Sequence, residues 1–369
     1  MEINDEYYQT LRIKSIQGRY ITNKELESFL KQFTDLSLGP GTGISVKRNP
    51  IHLITIGKGL TKVLMWSQMH GNESTTTKAI LDLLGFLRSP DDLAKKILSN
   101  CTITIVPILN PDGAAAYTRV NANNVDLNRD ARNRSQPESI FLRGLYDKVK
   151  PDFCFNLHDQ RTIFNVGNSA KPATISFLAP AADERRSETN SRIVSMQLIV
   201  QMNSVLQTII PGSVGRYDDT FNSNCVGDSF QMMGTPTVLI EAGHSPGDYN
   251  REQTRKYVFL AVLEGLKGIA NQNLQHQEEK EYHNIPENDK LFYDILIHNI
   301  ELLNPAYKKG ESIGVLYKEV LEENEILFDP YIEAIGVLND KFGHEVFDCK
   351  YAADLVQLKN RKSVCKLVL

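Results

Sequence analysis

Residues 62–88, "KVLMWSQMHGNESTTTKAILDLLGFLR", decide how this chain is read. The run "KVLMWSQMH", ending at His70, is almost continuously apolar, the pattern of a strand buried on both faces. The stretch "STTTKAILDLLGFLR" then carries apolar residues at helical spacing behind a hydroxyl-rich start. His70, Gly71, Asn72 and Glu73 stand where the two meet. A strand that passes through a short turn into a helix is half of a βαβ unit. That turn lies at the carboxyl end of the strand, where open α/β sheets bind their ligands. An H-x-x-E pair there can hold a metal, or it can be a polar turn whose glutamate is welcomed by the helix dipole.

Working outward, the same pattern recurs. Apolar runs "PIHLITIGKG" (50–59), "CTITIVPILNPDG" (101–113), "DFCFNLHDQ" (152–160), "TISFLAP" (174–180) and "TPTVLIEAG" (235–243) read as strands. Helical periodicity fills 186–209 and 251–270, and "TNKELESFLKQF" opens with a Thr22/Glu25 capping box. Apolar strands alternating with helices predict an α/β fold with a largely parallel sheet covered on both faces. Residues 1–270 are expected to form this domain, its first 45 or so residues being a helical lead-in. Residues 271–289 are polar and poor in apolar anchors, and read as a linker. Residues 290–369 break into short segments at Gly, Pro and Asn-Asp, and read as a small β-rich accessory domain. Three roles stay open for it: binding substrate, joining copies of the chain into a homo-oligomer, or covering a sheet edge.

Composition narrows the class. With 41 Lys+Arg against 45 Asp+Glu, a net charge of -4 and no basic stripe, nucleic acid is not an expected partner. The polar, acidic start is no signal peptide, and no apolar run has membrane-spanning length. The five cysteines lack C-x-x-C spacing, which suits free thiols in a reducing compartment, so a cytoplasmic protein is expected.

Four polar side chains, His70, Asn110, His158 and Glu241, each stand just past the end of a different apolar strand. Two imidazoles with a carboxylate suit Zn²⁺ in a catalytic site, a water taking the open position. Glu241 is then a second carboxylate, free to act as general base. "NVDLNRD" adds Asp126, suited to receive a ligating histidine's other N–H, with Asn128 and Arg129 as partners for a substrate carboxylate. Arg119 is a further cation able to face an oxyanion.

"HGNE", "NPDG" followed by R-x-N-A-N-x-V-D-L-N-R, "NLHDQ" and "IEAG" together resemble the zinc carboxypeptidase family, of carboxypeptidase A type, over roughly residues 50–265. The His₂Glu ligand set is a known property of that family. The resemblance implies an eight-stranded mixed sheet between helices, one Zn²⁺ held by His70, Glu73 and His158, and Glu241 promoting water. It further implies Arg119 on the scissile carbonyl, Asn128 and Arg129 on the terminal carboxylate, and Asp126 behind the first histidine. The substrate is then a peptide or peptide-like amide beside a free carboxylate. "HGNE" and the early second histidine are similar to the compact bacterial branch, which includes murein-peptide amidases. The substrate-capping tyrosine of the family matches Tyr217 only loosely. Asp228 falls where side-chain specificity is often set, and is either a selector of basic or diamino side chains or a turn residue. His244 is read as a pocket-rim or structural residue, and His52, His276, His283, His298 and His344 as non-ligands. Two other readings remain: an N-acyl amino acid deacylase of the succinylglutamate desuccinylase/aspartoacylase type, and a catalytically dead carboxylate-binding module.

Overall fold

A computed structural model describes residues 4–32, 37–38, 43–274, 278 and 280–369. Its centre is an eight-stranded mixed sheet. In chain order the strands are β1 (Ser37–Leu38), β2 (Ile54–Gly57), β3 (Thr61–Ser67), β4 (Cys101–Val106), β5 (Phe153–Asp159), β6 (Ile175–Leu178), β7 (Val214–Arg216) and β8 (Thr237–Ala242). They lie side by side as β1-β2-β4-β3-β5-β8-β6-β7. The four strands β4, β3, β5 and β8 run parallel, so their carboxyl ends share one edge.

Burial on both faces follows from the apolar runs. Val63 and Met65 of β3 join the larger core, under the helices Thr75–Leu87, Asn190–Ile209 and Glu252–Asn271. Their neighbours Leu64 and Trp66 point the other way, into a smaller core with Leu142, Leu145 and Phe230. Alternate side chains thus face opposite layers, which is why the run contains almost no polar residue.

The N-terminal lead-in is tied down by a buried acid. Asp82 receives Arg255 in a two-point pair (2.6 and 2.7 Å), the Tyr8 hydroxyl (2.8 Å) and the Ile13 amide (2.8 Å). Asp82 and Arg255 are both fully buried. The helix Asn23–Leu30 begins with the expected Thr22/Glu25 capping box.

Beyond residue 290 lies a separate four-stranded sheet, ordered β11-β10-β9-β12: β9 is Phe292–His298, β10 Ser312–Glu322, β11 Glu325–Gly336 and β12 Phe342–Asp348. Not every segment of this β-rich region is a strand: "SVCKLVL" (363–369) lies in the helix Lys362–Val368, which with Ala352–Asn360 buries Leu358, Val364 and Val368 on this sheet. In the stretch read as a linker, Tyr282 and Ile285 are buried, and Asn288–Asp289 pairs with Asn165–Val166. That segment therefore packs onto the larger sheet. Among the described residues, no helix is long and apolar enough to cross a membrane.

Removing Asp82 strands a buried guanidinium. Asp82→Ala is expected to cost about 3–5 kcal/mol of unfolding free energy, read by urea unfolding. A loss well under 1 kcal/mol would show that the pair does not hold the lead-in.

Candidate metal centre and substrate cleft

Parallel neighbours end together, and that brings distant residues to one place. β3 ends at Ser67, three residues earlier than the sequence reading had it, and His70 and Glu73 occupy the turn before the helix Thr75–Leu87. His158 stands at the end of β5, and Glu241 of β8 is its register partner. His70, Glu73 and His158 are all buried.

Their ligand atoms lie within 4.8 Å of one another. His70 Nδ1 is 3.2 Å from His158 Nδ1, and the two oxygens of Glu73 lie 2.7 Å from the first and 2.9 Å from the second. Two nitrogens bound to one tetrahedral zinc stand roughly 3.3 Å apart, so the imidazole pair is spaced for that ion. His70 Nε2 donates to Asp126 Oδ1 at 3.0 Å, which leaves Nδ1 as the lone-pair nitrogen. Burial alone would raise the Glu73 carboxyl, but the two imidazoles beside it hold it well below the usual carboxylate range. Burial lowers His158 and keeps it neutral, as a ligand must be. The donor set fits a metal.

A cavity of about 820 Å³ opens beside this group, lined by His70, Glu73, Arg119, Asn128, Arg129 and Glu241 among others. Glu241 Oε2 is buried there without a hydrogen-bond partner. Burial, then the nearby Glu73 and Asp159, push its carboxyl well up. Arg119 rests on Asp126 through Nε (3.0 Å) and reaches Glu73 through Nη1 (3.3 Å). Asn128 spends its amide oxygen on the Val226 amide (3.1 Å), while Arg129 Nη1 meets the Asn128 carbonyl (2.9 Å). Arg129 has no carboxylate partner among the described residues. Tyr217 and Asp228 also line the cavity, Asp228 being 6% exposed with its carboxyl raised by burial to about 6.

Two strand-end residues belong elsewhere. Asn110 caps the helix Pro111–Ala116, accepting from Gly113 N at 2.8 Å and donating to the Met69 carbonyl, so it is structural. His244 is not on the rim: it is 1% exposed and packed between Tyr249 and His344. His52, His283, His298 and His344 bond to Glu27, Glu188, Ser312 and the Thr162 carbonyl, away from the metal group. His276 lies outside the described residues.

Two contributors were missed in the sequence. Ser74 does not cap the helix Thr75–Leu87 with its side chain; Asp159 does, accepting from Thr75 N (2.9 Å) and Thr76 N (3.4 Å). The signal was present as an aspartate directly after His158. The far side of the cavity is formed by β10 and β11, through residues such as Tyr317, Lys318 and Tyr331. No motif marked these.

The family model for zinc carboxypeptidases matches residues 23–173. Carboxypeptidase SOL1 of Arabidopsis thaliana is 35% identical over 124 residues, covering 30% of this chain and 25% of that protein. A metallo-carboxypeptidase from Burkholderia cenocepacia shares the fold with a TM-score of 0.56 at 18% identity, over 68% of this chain and 70% of that one. A metallo-carboxypeptidase from Pseudomonas aeruginosa, solved with (2-guanidinoethylmercapto)succinic acid, gives a TM-score of 0.55 at 15% identity, over 68% of this chain and 70% of that one. The resemblance drawn from the motifs is thus borne out as a resemblance: part of the chain matches the zinc carboxypeptidase model, and the fold is that of the metallo-carboxypeptidases. It spans less than half the length of the curated relatives it matches.

Asp126 orients His70, so Asp126→Asn is expected to weaken metal binding about 10–100-fold, measured by chelator competition. Unchanged affinity would reduce Asp126 to a cap of the short helical turn Leu127–Arg129.

Proposed function

We propose that the protein is a zinc-dependent metallocarboxypeptidase that cuts a peptide or peptide-like amide beside a free carboxylate. The observation that carries this reading is the convergence of His70, Glu73 and His158 beside a cavity into which Glu241 offers a partnerless carboxyl oxygen. Zinc held by the three ligands would supply Lewis acidity, polarising a carbonyl and bringing the pKa of water near 7. Arg129, with no salt bridge among the described residues, takes the terminal carboxylate with Asn128 beside it, and this fixes which bond is cut. Glu241 accepts the proton of the attacking water and delivers it to the leaving amine. Arg119, braced on Asp126 and lining the cavity, stabilises the oxyanion. Tyr217 covers the substrate from the β7 side; its ring packs on Phe164. Five free cysteines support work in a reducing compartment such as the cytoplasm.

Metal analysis tests the first step. We expect one zinc per chain in the native protein and loss of it in His70→Ala. Glu241→Gln should keep the zinc while kcat falls by about 10²–10⁴-fold; a variant that retains most of its activity would remove Glu241 as the base. A panel of dipeptides against N-acyl amino acids then separates the peptidase from a deacylase.

Asp228 makes the selectivity of that cavity pH-dependent. Burial holds its carboxyl at about 6, so it is neutral below that pH and charged above it. A cationic side chain on the leaving residue gains its counter-charge only in the ionised form. The ratio of kcat/KM for Lys-ended over Leu-ended substrates should rise by about tenfold between pH 5 and 7.5, and be flat in Asp228→Asn. A flat native ratio would make Asp228 a turn residue.

A further inference from the structure

The cavity has two walls that differ in origin. One belongs to the large sheet and its loops, with Asn128, Arg129 and Asp228; the other is the β10–β11 hairpin, whose Leu316, Tyr317, Lys318, Glu319, Phe328 and Tyr331 all face the cavity. We propose that this hairpin is a fixed wall on the acyl side of the scissile bond and limits the substrate to a short one, with no more than two or three residues upstream of the cut. The inference rests on the carboxypeptidase reading of the same site.

Three features make the hairpin a wall rather than a mobile flap. Glu319 is held by Arg19 at 3.1 Å and by the Tyr117 hydroxyl, and Arg19 is only 6% exposed. Asp294, buried in β9, gathers the Tyr317 amide (2.8 Å), the Tyr249 hydroxyl (2.9 Å) and Thr162 Oγ1 (3.3 Å), which bonds the accessory sheet to the loops after β5 and β8. Tyr249 also packs edge-on against Tyr317 and Phe328, ring centres 5.3 and 5.2 Å away. Breaking such contacts means stranding a buried carboxylate and a buried guanidinium, which costs far more than moving a free loop.

Those anchors set the direction as well. Arg129 bonds to the Asn128 carbonyl, and Asn128 accepts from the Val226 amide, so both are held on the large-sheet wall, which in the proposed function takes the leaving residue's carboxylate. The acyl part must leave the reacting carbonyl the other way, toward Tyr317, Lys318 and Tyr331. The cavity volume of about 820 Å³ lies within the range of small-molecule sites, roughly 300–1,000 Å³. An enzyme that trims protein tails needs this side open.

The test is a series of peptides with one common C-terminal residue and lengths from two to eight. For the native protein, kcat/KM should fall by about tenfold or more between three and six residues. In Tyr331→Ala/Lys318→Ala, with its melting transition checked, that fall should shrink severalfold. Equal cleavage at all lengths, or a fall unaltered in the folded variant, overturns the proposal. Should no peptide be cut at any length, the carboxypeptidase reading fails. Calorimetric binding of the same series to Glu241→Gln then decides the wall separately: affinity that drops with length supports it, and affinity independent of length rejects it.

Discussion

The Asp159 carboxylate holds the site together. It accepts the first amides of the helix Thr75–Leu87, while its own amide donates to Glu73 Oε2 at 3.2 Å. One residue therefore fastens the end of β5, which carries His158, to the turn that carries His70 and Glu73. Burial raises the Asp159 carboxyl, and the positive charges of Arg19 and Arg251 oppose that shift. A helix N-terminus favours a carboxylate by about 0.3–1 kcal/mol at a surface and up to about 2 kcal/mol when partly buried. The modest energy matters less than the geometry, because the ligand atoms have to agree to within a few tenths of an ångström.

The arrangement of the large sheet was legible because its strands are buried twice over. Runs such as "KVLMWSQM" and "TPTVLIEAG" leave little alternative to a parallel sheet under helices, and the polar residues that end them must then meet at one edge. His70, His158 and Glu241 were singled out in that way, Glu73 came from the H-x-x-E pair, and the V-D-L-N-R run added Asp126, Asn128 and Arg129; the structure brings His70, Glu73 and His158 together and lines one cavity with Glu241, Asn128 and Arg129. Asn110 obeyed the same rule and yet is a helix cap, since position at a strand end says where a side chain begins and not which way it turns.

What stayed hidden depends on contacts between segments far apart in the chain. Asp159 carries no signal of its own beyond its place after His158, because its partners are backbone amides some 80 residues earlier. Arg19 carries none either, since its partner Glu319 lies 300 residues away. β10 is buried along its first half and β11 roughly alternates, and nothing in either run tells which residues meet a cavity. The final helix was misread for a related reason. "SVCKLVL" has the β-branched residues of a strand, but only the packing of Val364 and Val368 on the second sheet settles the matter.

The division of the cleft between two sheets has an evolutionary reading. The His70–Glu73–His158 group and Glu241 come from residues 70–241, whereas other lining residues of the same cavity come from residues 316–331. Substitutions in the hairpin can reshape what the cavity admits while leaving the ligand cluster untouched, so diet and chemistry are free to diverge at separate rates. The buried anchors Arg19, Tyr117 and Asp294 are the hinge-pins of that modularity: while they stay, the solvent-facing tips of β10 and β11 are open to drift.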